Sequence, residues 1–289
     1  MIGMLSSGKT MAVCLMAAGA WLGCSASTAP AGEVEAPATQ PATRALAVHV
    51  QTILGSDLPD PKDPWNKAGS VMVCPTDIHL LGDWLYVPCY DSGRICRFKR
   101  NPATAAISYA GSQVMPFRAN RIGTRLLSRK SATGGAMMYA VYYGPQRFLY
   151  WYGVDRSTGV LTEKGKLAMP GAGFALMAPD RKHLYLISKR ITWIGFGRDG
   201  TPSVAGSMAG QPGNSVMSPD GRHLYVATRF SSPEANGRIV VYDRKAATGA
   251  LTPNSVFKLT GNTVSKPNSE PFLGISPDGR HVYVSLWRW

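Results

Sequence analysis

The chain has 289 residues, of which 45% are hydrophobic and only 17% charged. That composition excludes a wholly disordered protein and leaves enough apolar area for a real core. Charge is lopsided, with 31 Lys and Arg against 17 Asp and Glu for a formal net charge of +14, and the 31 Gly and 21 Pro suit a turn-rich β protein better than a helical bundle. No apolar run reaches the roughly 18 to 20 residues of a confident membrane span.

In chain order, the first element is a targeting segment. Lys9 precedes an apolar run over residues 11–23 that ends at Cys24, the charged-then-apolar layout of a secretory signal. Gly23-Cys24 resembles a bacterial lipobox, although Trp21 stands where a small aliphatic residue is usual. Two outcomes stay open: lipidation of Cys24, or ordinary cleavage nearby. Gly3 and Gly8-Lys9-Thr10 match a phosphate-binding loop letter for letter, but only Met1 and Ile2 precede Gly3, so the strand that such a loop needs has no room. Residues 25–44 are rich in Ala, Pro and Thr, with Pro30, Pro37 and Pro41, and read as an extended tether. The expected organisation is therefore a signal peptide over 1–24, a tether over 25–44 and a folded domain over 45–289.

Outside the export segment lie Cys74, Cys89 and Cys96. If Ser92-Gly93 forms a two-residue hairpin turn, Cys89 and Cys96 sit opposite one another on paired strands. A cross-strand disulfide and two buried thiols both remain open. No spacing suggests a metal site, and no cofactor is expected.

From residue 70 onward the chain repeats itself. Ala178-Pro179-Asp180-Arg181-Lys182-His183-Leu184-Tyr185-Leu186 returns as Ser218-Pro219-Asp220-Gly221-Arg222-His223-Leu224-Tyr225-Val226 and again as Ser276-Pro277-Asp278-Gly279-Arg280-His281-Val282-Tyr283-Val284. Weaker copies end in Leu85-Tyr86-Val87 and Met138-Tyr139-Ala140, so the tyrosines fall 53, 46, 40 and 58 residues apart. Periods of this length mark stacked β units. Within a unit, Pro and Gly turn the chain, a β-branched and aromatic strand follows, and further strands such as residues 237–243 and the one opening at Ala250-Leu251-Thr252 complete an antiparallel blade. The fold class expected is all-β: a β-propeller with four clear four-stranded blades and a partial one.

The Ser-Pro-Asp-Gly-Arg-His-Leu-Tyr-Val element, with a following Asp-Arg and Thr-Gly-x-Leu-Thr, resembles the seven-bladed lactonase-type propellers and the related YVTN-repeat proteins over residues 70–289. The resemblance implies a propeller, and for the enzymes of that family a 6-phosphogluconolactonase-like hydrolysis of a sugar lactone. Those enzymes carry an Arg-His pair before a Ser-Pro-Asp turn and an acidic residue after a tyrosine strand. Here the corresponding segments are Gly173-Phe174-Ala175-Leu176-Met177, Gly213-Asn214-Ser215-Val216-Met217 and Pro271-Phe272-Leu273-Gly274-Ile275, and the residues after the tyrosine strands are Ser188-Lys189, Thr228-Arg229 and Ser285-Leu286. The family's catalytic groups do not map onto this chain.

Three of the five histidines, His183, His223 and His281, occupy one repeat position and are expected to be structural. His79 and Glu270 are the candidate catalytic residues, and Arg118 and Asn214 the candidate ligand-binding ones. Between residues 91 and 130, nine basic residues stand against Asp91 alone. This suits either a solvated basic surface or an anionic small molecule or envelope polymer, with no nucleic acid and no membrane contact beyond an anchor at Cys24. The expected location is the bacterial periplasm, or the outer membrane through that anchor. At roughly 40 to 50 residues per blade, residues 45–289 make about five blades rather than seven, which suggests a truncated or frame-shifted relative of a seven-bladed protein. The function expected is that of an exported propeller binding a ligand or partner, with a lactonase as the alternative.

Overall fold

The computed structural model describes residues 2–7, 10–16, 49–54, 72, 75–89, 92–115, 123–143, 148–169, 173–228, 237–259 and 270–287, with backbone alone for 2–54, 123–124, 143, 270 and 286–287. Cys24, Cys74, Arg118 and the 25–44 tether lie outside the described residues. The chain divides into two compact units, Met1–Met115 and Pro116–Trp289.

In the first unit, β1 (Ile2–Ser7), β2 (Thr10–Met16) and β3 (His49–Leu54) pair as an antiparallel sheet, which places Gly3 inside a strand rather than on a turn after one. A second sheet runs in chain order through β4 (His79–Leu81), β5 (Trp84–Cys89), β6 (Arg94–Arg100) and β7 (Ile107–Val114). Gly82, at φ 62°, supplies the left-handed residue that lets Leu81 and Trp84 face each other across a two-residue turn. Every residue of β5 is buried, and Leu85, Val87, Cys89, Cys96, Phe98 and Ile107 form one apolar cluster with Met72.

The second unit contains three further four-stranded meanders: β8 (Gly123–Lys130) to β11 (Leu161–Ala168), with β9 (Ala136–Tyr143) and β10 (Phe148–Val154) between them; β12 (Phe174–Met177), β13 (Leu184–Ile187), β14 (Arg190–Phe196) and β15 (Pro202–Ala209); and β16 (Gly213–Met217), β17 (His223–Thr228), β18 (Arg238–Arg244) and β19 (Leu251–Lys258). A two-stranded sheet, β20 (Glu270–Ile275) with β21 (Val282–Trp287), ends the unit. The four full sheets and the partial one agree with the expected blade pattern, and the faint Met137–Val141 copy is the centre of a complete sheet.

The repeat reaches below the level of strands. Each full sheet has a bulge between its third and fourth strands at the same place, after Arg97, Trp151, Trp193 and Val241. At two of these the indole lies so close to the facing glycine, Gly165 or Gly206, that any Cβ there would come within 2.4 Å of the ring. The bulge increases local twist, as a blade requires. Apolar layers join consecutive sheets of this unit. Tyr139, Val141 and Leu149 pack with Leu184, Leu186 and Ile194, and Tyr185, Ile187 and Ile191 pack with Leu224, Val226 and Tyr242. At the last sheet the same tyrosine position changes state: Tyr139 and Tyr185 are 0% exposed, Tyr283 61%.

Candidate functional site

The first strands of consecutive sheets in the second unit, β8, β12, β16 and β20, lie side by side. Register fixes which of their residues correspond. Leu127, Leu176, Val216 and Gly274 face the repeat tyrosines 139, 185, 225 and 283. Two residues upstream, on the same strand faces, stand Arg125, Phe174, Asn214 and Phe272, opposite Val141, Ile187, Ala227 and Ser285. Arg125, Phe174 and Phe272 are exposed and Asn214 is half-buried. Four equivalent positions on neighbouring strands thus present a cation, two rings and an amide. A set of aromatic surfaces with a few polar groups that fix orientation is the usual make-up of a small-molecule site.

Of the sequence candidates, only Asn214 falls in this row. Glu270 opens β20 opposite Trp287, two residues before Phe272, and its side chain is outside the described residues. His79 belongs to the first unit, half-buried on β4 opposite Tyr86. The row was readable in the sequence by counting: each member lies five residues before the turn position held by Lys130, Pro179, Pro219 or Pro277. Arg125, Phe174 and Phe272 share no residue type with Asn214, so only their common register links them.

A second constellation has the residue types of a catalytic site but a different role. Arg244, the last residue of β18, is buried. Its Nη2 donates to both Asp180 carboxylate oxygens at 2.9 and 3.0 Å and to His183 Nδ1 at 3.1 Å. Its Nε donates to the Tyr185 hydroxyl at 2.8 Å and its Nη1 to the Gly221 carbonyl at 3.1 Å. Tyr185 in turn donates to the Gly249 carbonyl at 2.7 Å. Because the guanidinium has no acceptor, His183 Nδ1 must be the acceptor and Nε2 carries the proton. Burial first, then the Arg244 charge, holds the His183 pKa below its ordinary value. Burial pushes Asp180 up, but the Lys182 backbone N–H and the Arg244 guanidinium outweigh it and leave that carboxyl below its usual range. Shifted groups mark functional sites only probabilistically. Here Arg244 and Tyr185 spend their bonds on each other and on the chain, so this network ties the β12–β13 turn to the end of β18.

The other two repeat histidines, His223 and His281, are more exposed than His183. His223 Nδ1 meets Asp243 Oδ1 at 2.9 Å, and all three rings lie 6.3 to 6.5 Å from the tyrosine two residues on.

The basic stretch is less solvated than its composition suggests. Arg94, Arg97, Lys99 and Arg100 on β6 are each half-buried. Arg94 Nη1 donates to Ser112 Oγ at 3.2 Å and Arg97 Nη2 to the Ala110 carbonyl at 2.9 Å, while Lys99 lies 4.5 Å from the centre of the Trp84 ring. Much of this charge is spent on the blade itself.

The expected two-residue turn at Ser92-Gly93 does not close the β5–β6 hairpin. The last ladder pair is Cys89 with Arg94, and Cys96 faces Val87, so the two cysteines are diagonal neighbours rather than opposite. Both are buried and no disulfide joins them. Among the described residues no group of three or more His, Cys, Asp or Glu is arranged to hold a metal ion, and no helix is long and apolar enough to cross a membrane.

No family model and no curated protein matches the sequence. Solved structures do match. A 6-phosphogluconolactonase-like protein from Bacteroides uniformis aligns with a TM-score of 0.62 at 12% identity, over 95% of this chain and 70% of that one. A protein from Lactobacillus plantarum aligns with a TM-score of 0.55 at 19% identity, over 73% of this chain and 64% of that one. The periplasmic gluconolactonase PpgL of Pseudomonas aeruginosa aligns with a TM-score of 0.54 at 15% identity, over 73% and 65%. The chain spans about two thirds of the length of these neighbours. With the four-stranded meanders and their shared bulge, these likenesses show the fold: an all-β propeller of four-stranded antiparallel blades, like that of the 6-phosphogluconolactonase-like proteins.

Proposed function

We propose that the protein is an exported, ligand-binding propeller whose first-strand row Arg125–Phe174–Asn214–Phe272 takes an anionic small molecule. The row's own chemistry carries this reading. A guanidinium stays protonated at any working pH, amide and phenyl groups do not titrate, and none of the four can accept a proton from water as a lactonase's base must. They suit binding instead: Arg125 for charge, Asn214 for a hydrogen bond and the two phenyl faces for apolar contact. Export rests on the signal-like N-terminus, with Cys24 as the candidate anchor.

The second reading, a lactone hydrolase, is favoured by the gluconolactonase neighbours. It would need His79 or Glu270 as base. Purified protein incubated with 6-phosphogluconolactone and with simpler lactones separates the two. The binding reading expects hydrolysis at the buffer rate and a thermal shift with 6-phosphogluconate that Arg125→Ala and Asn214→Ala abolish. Hydrolysis above buffer that His79→Ala or Glu270→Ala removes would establish the enzyme instead.

A further inference from the structure

We infer that Cys89 and Cys96 form a reversible dithiol–disulfide pair that staples the β5–β6 hairpin in oxidising surroundings. The two Sγ atoms lie 3.9 Å apart, in contact, on adjacent paired strands. Both residues are 0% exposed and belong to the same apolar cluster. Cys89 Sγ also lies 3.5 Å from the Val87 carbonyl, to which its thiol donates. That arrangement sets the second sulfur beside the first without any other side chain between them.

The register decides what kind of bridge this is. Facing residues in an antiparallel pair are close, whereas diagonal neighbours are some 7 to 8 Å apart at Cα, at or beyond the reach of an unstrained disulfide. Bond formation therefore draws the two strands together locally, and a bridge made under strain is the reducible kind. Position within the hairpin gives access: Cys89 belongs to the last ladder pair, where opening costs least, while Cys96 is two residues inside. On the other side, Cys89 is held by a backbone bridge to Pro75, and the Thr76 N–H donates to the Pro88 carbonyl at 2.9 Å. The bond so formed would lock this edge of the blade together with the segment entering it.

The chemistry balances as thiol–disulfide exchange. The thiolate of one cysteine attacks a small disulfide such as oxidised glutathione, forming a mixed disulfide and releasing one glutathione thiolate. The second cysteine's thiolate then attacks the protein sulfur of that mixed disulfide and expels the second. The two protein thiols lose two electrons and two protons, and the glutathione disulfide is reduced to two thiols.

The sequence makes the test clean. Trypsin cuts after Arg94, between the two cysteines, placing Cys89 in the peptide 68–94 and Cys96 in the peptide 95–97. The full chain is treated with oxidised glutathione, blocked with N-ethylmaleimide in denaturant, digested and read by mass spectrometry. The expected result is the 68–94 peptide linked to the 95–97 peptide, in the wild type and in Cys74→Ser alike, and separated by a low concentration of dithiothreitol. Full maleimide labelling of both cysteines after oxidation would overturn the proposal. So would a link that disappears in Cys74→Ser, which would assign the bridge to Cys74, or a bridge that resists dithiothreitol until the chain is unfolded. Because the wild type and Cys74→Ser carry the test, it does not depend on a variant at either buried position folding.

Discussion

Two neighbouring junctions in the second unit solve the same packing problem with different chemistry. Where the β12–β15 sheet meets β16–β19, the tyrosine hydroxyl of Tyr185 donates to the Gly249 carbonyl at 2.7 Å; where β8–β11 meets β12–β15, Tyr139 donates to the Gly200 carbonyl at the same distance. Around this common bond the partners differ. The first junction has Asp180 in the turn and Arg244 at the end of the third strand. The corresponding residues of the second are Ser131 and Phe196, the Phe196 ring packs 4.8 Å from Tyr139, and Arg129 lies over that ring at 4.5 Å from its centre. When the turn loses its carboxylate, the third strand loses its arginine. A buried cation without its acidic partner would be costly, so the two positions change together.

Removing the arginine from each junction should produce the largest difference. Arg244→Met leaves the Asp180 carboxylate without its guanidinium and the Gly221 carbonyl and Tyr185 hydroxyl without its donors. Arg244 is buried but Asp180 is exposed, so losing these charged hydrogen bonds should cost about 3 kcal/mol. Arg129→Met removes chiefly a cation–π contact and should cost about 1 kcal/mol. Urea unfolding midpoints at constant slope measure both. Equal losses would mean that the ionic latch contributes no more than the aromatic junction, and the contrast drawn here would collapse.

The tyrosine pair gives a finer comparison. The Tyr185 hydroxyl works in both directions, donating to Gly249 and accepting from Arg244 Nε at 2.8 Å. Tyr185→Phe therefore orphans a charged donor as well as a carbonyl, a loss of about 2 to 3 kcal/mol, whereas Tyr139→Phe should cost about 1 kcal/mol. Burial raises the Tyr139 hydroxyl to a pKa of about 12 despite nearby Arg129, so it is a neutral donor across the range in which the protein is studied. A Tyr139→Phe loss as large as that of Tyr185→Phe would show that the hydroxyl of Tyr139 carries more than the carbonyl bond.

These junctions also show how much of the molecule could be read from residues alone. Ser-Pro-Asp-Gly and the tyrosines gave the blade pattern, because a turn that needs Pro and Gly at fixed offsets leaves a mark in the sequence. The pairing of Asp180 with Arg244 left no such mark, since the two are 64 residues apart and meet only when consecutive sheets pack. The Asp-Arg dipeptide is no guide to it either, since Asp243-Arg244 ends a strand whereas Asp155-Arg156 follows one whose last residue is Val154. The bulge after Arg97, Trp151, Trp193 and Val241 was hidden for a related reason. Arg, Trp, Trp and Val occupy that backbone position, so no single residue type marks it. The first-strand row of Arg, Phe, Asn and Phe shows only by counting back from the turn, since no one residue type runs through it.

The smallest expected effect separates the junctions by pH. The Tyr185 junction holds His183, faced by Arg244 and Asp180 with Lys182 beside it, while the corresponding residue of the Tyr139 junction is Met137. His183 has a folded-state pKa below its ordinary value of 6.5. Between that value and the lower folded one, the unfolded chain binds a proton that the folded chain refuses, so stability falls as pH drops through this window and then levels off. Asp180 adds a second fall of the same sign, beginning only below its ordinary value of 3.8. The two falls thus begin at different pH, the His183 one first as the solution is acidified. His183→Met, which copies the other junction, should flatten the fall just below pH 6.5 and leave the more acidic one in place. Unfolding midpoints measured across both windows decide the matter. If His183→Met and the wild type lose stability in parallel between them, the imidazole is not what makes this junction sensitive to acid, and the two junctions differ only in their arginines.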